Sequence, residues 1–136
     1  MQSLKKLLNP LTIPYEYQYE ILRMIDGDNL SMLSEDDFIE ALQIDGETMT
    51  LRLSNSDLES EPSLNHEIKN ELIRAKSIII VFEVFNETLP EEYKAFIEYV
   101  YSFIDEETTV KFDFKSLEQP SLEPITILLT GYKNSD

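Results

Sequence analysis

Hydrophobic and polar positions along this chain switch between two periods. Met49, Leu51 and Leu53 alternate with Thr48, Thr50 and Arg52. Side chains two apart share one face of a strand, so 48–53 reads as a strand with one face buried. Val110, Phe112 and Phe114 alternate in the same way with Lys111, Asp113 and Lys115, and 125–130 reads as a last strand. The run Ile78-Ile-Ile-Val-Phe-Glu-Val-Phe85 does not alternate. It is almost continuously apolar and rich in β-branched residues, which predicts a central strand buried on both faces. Between these segments the period lengthens to that of a helix. Tyr17, Ile21 and Met24 form one stripe, with Gly27 just past its end. Leu64, Ile68, Leu72 and Ala75 form another, and Leu89, Tyr93, Phe96, Ile97, Val100 and Phe103 a third. A short helix over 34–43 has its own start signal. Ser34 is a capping residue, Asp37 stands three positions on, and Leu33 and Phe38 sit where a hydrophobic staple would close. Thr88-Leu-Pro-Glu91 marks a similar start for the third stripe.

The order is therefore α-α-β-α-β-α-β-β. The expected fold class is α/β (an α+β two-layer arrangement): a four-stranded mixed sheet, crossover helices at 64–75 and 89–104 on one face, preceded by N-terminal helices. Connections of helix length predict that the first three strands run parallel with right-handed crossovers, while the shorter link before 125 predicts an antiparallel last pair. The other sheet face then needs a cover, either the N-terminal helices or a partner.

Composition narrows the chemistry. The 136 residues amount to one domain, with 42% hydrophobic and 28% charged residues. There is no Cys and one His, so disulfides, thiolate metal sites and a His-based zinc site are excluded. The three glycines, Gly27, Gly46 and Gly131, are far apart, so no Gly-rich phosphate loop exists. No cofactor and no metal site is expected. With 27 Asp and Glu against 11 Lys and Arg, the net charge is −16. Such a surface repels nucleic acid and anionic membranes and suits a basic protein partner. Pro10 interrupts the leucines of the leader too early for a signal peptide, and the longest apolar run is far shorter than a membrane span. A cytoplasmic location is expected.

Individual motifs add little catalysis. Asp26, Asp28 and Asn29 followed by Glu35 suggest a calcium loop, but Met24 then stands at its first ligand position and Asn29 replaces the turn glycine. A capped helix-to-helix connection is the simpler reading. His66 lacks a recognisable nucleophile partner, and Glu91 and Glu92 suit the positive end of a helix. Tyr15, Tyr17 and Tyr19 alternate, so on a helix at least one is exposed and a docking role is open.

The element order and several phrases resemble the C-terminal domain of FtsZ, the tubulin-like GTPase of bacterial division. Met32-Leu-Ser-Glu-Asp-Asp-Phe38 occupies the place of a loop that in that family reads Asn-Leu-Asp-Phe-Ala-Asp-Val and enters a helix. Met49–Leu53, Leu64–Ala75, Ile78–Phe85 and Leu89–Phe103 match the next strand, helix, strand and helix of that domain. Thr130-Gly-Tyr132 resembles the closing Thr-Gly-Phe. The likeness divides the chain into a leader and helix at 1–26 and an FtsZ C-terminal-like α/β domain at 27–136. In that family the face opposite the crossover helices is helped by a long helix shared with the nucleotide domain; here the leader and the Tyr-rich helix are candidates for that place. The resemblance implies that the loop faces GTP bound to the next subunit. Of its two acidic residues only Asp37 is present, because Ser34 stands at the first position and Met32 replaces the Asn. A hydroxyl cannot take over a carboxylate's role in orienting water or metal.

The expected function is a lone, non-catalytic interaction module, not an enzyme, which caps or modulates a division filament. Its candidate partner-binding residues are Asp28, Asn29, Ser34, Glu35, Asp36 and Asp37. The alternative is an acidic protein that binds a basic partner by mimicking nucleic acid, unrelated to division. Either way, titration with GTP and magnesium should show no saturable binding; micromolar affinity would overturn this reading.

Overall fold

The computed structural model describes residues 13–25, 32–54, 62–85 and 91–133, with the side chains of 62–66 excepted. The elements run α1 (Tyr15–Ile25), α2 (Glu35–Leu42), β1 (Glu47–Leu53), α3 (Pro62–Leu72), β2 (Ser77–Phe85), α4 (Glu91–Phe103), β3 (Thr109–Leu117) and β4 (Ile125–Tyr132). This is the α/β order that the periodicity predicts. Helix α3 ends at Leu72, so Ala75 falls just beyond it, in a trailing turn where Ala75 N–H donates to the Leu72 carbonyl at 3.2 Å. The start signal at Thr88–Pro90, the calcium-loop candidates Asp26, Asp28 and Asn29, and the His66 side chain lie outside the described residues.

The four strands form one mixed sheet in the order β1-β4-β2-β3. Strands β2 and β3 pair in parallel along their length, and β4 pairs antiparallel with both β1 and β2. The first three strands thus share one direction, as expected. The expected pairing of β3 with β4 is not what forms: β4 inserts between β1 and β2, and β3 takes the sheet edge. Burial explains the choice. Every residue of β4 is buried, with Ile125, Ile127 and Leu129 on one face and Leu128 on the other. A strand apolar on both sides gains most at the centre. Strand β3 carries Lys111, Asp113 and Lys115 on one face, and inward charges of this kind suit an edge, where they also deter pairing with another sheet.

Each face of the sheet has its own core. Ile78, Ile80, Phe82 and Val84 of β2, with Ile125, Ile127 and Leu129, pack against Ile68 and Leu72 of α3 and Tyr93, Phe96 and Val100 of α4. The crossover helices therefore share one face. Phe82 sits at the centre of an aromatic group, 4.8 Å from the Tyr93 ring and 5.5 Å from Phe114 between centroids. The Tyr93 hydroxyl donates to the Glu83 carbonyl at 3.1 Å, and burial pushes that phenol up to about 12. On the opposite face Ile79, Val81 and Leu128 meet Ile21 and Met24 of α1 and Phe38 and Ala41 of α2. The N-terminal helices cover the second face. Full burial of each such aliphatic side chain stabilises by about 1.5–3 kcal/mol, so both layers contribute to holding the sheet.

One glycine sets the last residue of the sheet. The β1–β4 register runs from Thr48↔Thr130 to Glu47↔Tyr132, leaving Gly131 as an extra residue at φ +63°. A bulge at a left-handed position is natural for glycine, and it turns the next side chain to the other face. Tyr132 consequently enters the α3–α4 core, 4% exposed, where its hydroxyl donates to Glu71 and accepts from Arg74 at 3.3 Å. A Cβ at position 131 would stand 2.8 Å from Lys76 Cβ and 2.9 Å from Ile44 Cγ2. Gly131→Ala should therefore destabilise the protein by about 2 kcal/mol; an unchanged urea midpoint would show that the bulge is dispensable.

Candidate functional site

The candidate segment 32–37 enters α2 at the open side of β3, and the polar face of β3 holds it there. Asp113 is fully buried. Its Oδ2 accepts hydrogen bonds from the Met32 and Leu33 N–H groups, each at 2.7 Å, and its Oδ1 accepts from Phe114 N–H at 2.7 Å. A buried carboxylate needs such donors, because an unpaired charge in the interior is costly. Two residues before it on the same face, Lys111 Nζ donates to Asp37 Oδ1 at 2.8 Å and stands 3.5 Å from Glu40. Two residues after it, Lys115 Nζ donates to the Arg23 carbonyl at 2.8 Å, satisfying a carbonyl in the last turn of α1. The three inward positions of β3 thus hold three successive places in the α1–α2 unit.

Ser34 stands in extended conformation at the N-cap of α2. Its N–H donates to Asp37 Oδ2 at 2.9 Å, and its hydroxyl lies 3.5 Å from the same oxygen. The hydrogen bond from Lys111, then that from Ser34 N–H, holds the Asp37 carboxyl below its ordinary value, and the bond to Asp37 raises Lys111. Glu35 and Asp36, the next residues round the helix, are exposed, and Met32 beside them is 59% exposed. The structure thus separates the predicted residues: Ser34 and Asp37 form the cap, Glu35 and Asp36 face outward, and Asp28 and Asn29 lie outside the described residues. A cavity of about 260 Å³ adjoins the cap, lined by Asp37, Glu40, Ile44, Ser77, Thr109 and Lys111.

A second charged group lies farther along the same sheet face. Glu83, its side chain only 5% exposed, pairs with Arg23 at 2.9 Å and with Arg52 at 3.8 Å, and Arg52 reaches Glu20 at 3.5 Å. These contacts tie α1 to β1 and β2, so they belong to the seating of the helix. Tyr17 packs with the second core, while Tyr15 and Tyr19 are exposed at 74% and 66%. Among the described residues no group of three or more His, Cys, Asp and Glu could hold a metal ion, and no helix is long and apolar enough to cross a membrane.

Lys111 and Asp113 escaped the sequence reading because alternation on a strand normally marks polar residues as solvated. The signal that could have found them is the second sheet face. Once helices must cover Ile79 and Val81, the adjoining positions on β3 are covered too, and charges there require partners.

The solved structures place this architecture. The chain is similar to a point mutant of FtsZ from M. jannaschii, with a TM-score of 0.60 and 17% identity over 83% of this chain and 36% of that chain. It is similar to the empty FtsZ dimer from M. jannaschii, with a TM-score of 0.61 and 16% identity over 85% of this chain and 36% of that one. The fold is that of the FtsZ C-terminal domain. The chain spans about a third of the length of the FtsZ chains it matches, 36% in both cases. No family model matches the chain. No curated protein matches it.

The ion pair of Asp37 and Lys111 is 24% and 30% exposed, in the range where such pairs contribute about 1 kcal/mol. Asp37, with its carboxyl lowered from 3.8, contributes stability above that pH and loses it as pH falls through the lowered value. Lys111, raised from 10.5, contributes below that pH and loses it as pH rises through the raised value. Urea unfolding should therefore find Lys111→Met about 1 kcal/mol less stable than wild type at neutral pH. That gap should close as the solution is acidified below 3.8.

Proposed function

We propose that this protein is a non-catalytic interaction module that meets its partner through the N-terminal end of α2, and that the partner is an FtsZ-type filament, which it caps or modulates in the cytoplasm. The observation that carries this reading is the state of Asp37. Of the two positions that are Asp in the FtsZ-like loop phrase, only that of Asp37 is acidic here, and its carboxylate is committed to Lys111 and to Ser34 N–H. A carboxylate closed into a cap and an ion pair serves the fold rather than a reacting water. Glu35 and Asp36, beside the exposed Met32, supply outward negative charge around an apolar anchor. In the family this segment faces the nucleotide of the next subunit. A segment seated there makes the head-to-tail contact of a filament end, and these 136 residues carry no Gly-rich phosphate loop with which to extend it.

A second reading, an acidic protein for a basic partner outside division, draws on the same surface. Between positions 32 and 47 stand Glu35, Asp36, Asp37, Glu40, Asp45 and Glu47, with no Lys, Arg or His. A contact of that kind depends on charge and weakens as added salt shortens the screening length from about 8 Å.

Sedimentation of FtsZ filaments of the native host, assembled with GTP, separates the two. The capping reading expects less polymer and slower GTP turnover as this protein is added in excess, and a smaller effect from a variant carrying Glu35→Lys and Asp36→Lys. Polymer mass and turnover that stay constant at excess protein remove the filament reading and leave the basic partner.

A further inference from the structure

The polar face of β3 does more than seat the helices. We propose that Asp113 is the positioning residue of the partner-facing segment, fixing the backbone at Met32 and Leu33 and so the direction in which Glu35 and Asp36 leave the sheet. The proposal rests on the reading that this segment meets a partner.

Three observations single out Asp113. It is fully buried, with two backbone N–H groups converging on one carboxylate oxygen at 2.7 Å each. Its other oxygen accepts the N–H of the next residue of its own strand at 2.7 Å, which holds the carboxylate plane against rotation. Its flanking inward positions hold the neighbouring places: Lys115 the Arg23 carbonyl and Lys111 the Asp37 carboxylate. The Lys111 contact joins two side chains that are each about a quarter exposed, whereas Asp113 grips the main chain itself. Contacts to backbone N–H fix the path of the chain whatever side chains stand at 32 and 33, and hydrogen bonds to an ionised acceptor are about twice as strong as neutral ones. An Asn in this place accepts through one oxygen only. Either orientation turns its amide NH₂ toward an N–H group, at Phe114 or at Met32 and Leu33.

Amide hydrogen exchange on the full chain tests the anchor, and co-sedimentation with FtsZ filaments of the native host tests its consequence. Glu35 and Asp36 provide the internal reference, because the first N–H groups of a helix lack intrahelical partners. In the wild type, Met32 and Leu33 should exchange at least about tenfold more slowly than that pair, the loss of a charged hydrogen bond being of that order. Asp113→Asn should abolish the difference while Ile80 and Val81 stay protected, and filament affinity should fall at least about tenfold. Lys111→Met should leave the exchange of Met32 and Leu33 unchanged.

Fast exchange at Met32 and Leu33 in the wild type overturns the proposal, and that measurement stands even if Asp113→Asn fails to fold. So does protection that survives Asp113→Asn, or protection that Lys111→Met removes as well, since the segment would then follow the packing of α2. Released amides with unchanged filament affinity overturn the positioning role. A wild type that never sediments with filaments sinks the functional reading, while the exchange still decides whether Asp113 is the anchor.

Discussion

Burying a carboxylate between two lysines on an edge strand commits the structure around it. Asp113 and Lys115 are almost wholly covered, and each needs groups of matching charge or dipole within hydrogen-bond reach. Within the sheet such groups are few: Phe114 N–H reaches Asp113, and Glu83 stands opposite Lys115, but the positions opposite Lys111 and Asp113 are Ile79 and Val81. The α1–α2 unit adds two N–H groups at Met32 and Leu33, a carbonyl at Arg23 and a carboxylate at Asp37. The apolar contacts of Ile21, Met24, Phe38 and Ala41 are non-directional and tolerate some sliding of the helices over Ile79, Val81 and Leu128. The β3 contacts are directional and specify where the helices come to rest.

The other half of the molecule depends on β4 in the same way. Its insertion between β1 and β2 gives the sheet two central strands, and the bulge at Gly131 lets one strand serve both layers. Were Gly131 in regular alternation instead of a bulge, Tyr132 would point toward the N-terminal helices. With the bulge, the ring fills the α3–α4 core and the hydroxyl finds Glu71 and Arg74. Gly46, at φ +129°, lies against Gly131 so closely that a Cβ there would stand 2.7 Å from Gly131 Cα. The start of β1 and the end of β4 therefore depend on two glycines meeting.

The architecture is that of the FtsZ C-terminal domain, and within it Asp37 is built into a helix cap and an ion pair. A fold preserves backbone paths, whereas an activity depends on which side chains are free at a few points along them. Here the outward charge stands at Glu35 and Asp36, while Asp37 faces the sheet.

The elements themselves were legible in the chain, because period 2 and period 3.6 are local properties of backbone geometry. So were the cap at Ser34 and Asp37, the burial of β2 on both faces and the placing of α3 and α4 on one of them. What tertiary structure alone decided was which strand lies next to which, and where polar side chains point once a face is covered. The short link from β3 to β4 favours a hairpin locally, but burying Ile125, Ile127, Leu128 and Leu129 on two faces at the sheet centre outweighs that preference. Lys111, Asp113 and Lys115 read as a solvated face because alternation records which residues share a side, not what covers it. Their roles arise from contacts 74 to 92 residues away along the chain, which no local pattern encodes.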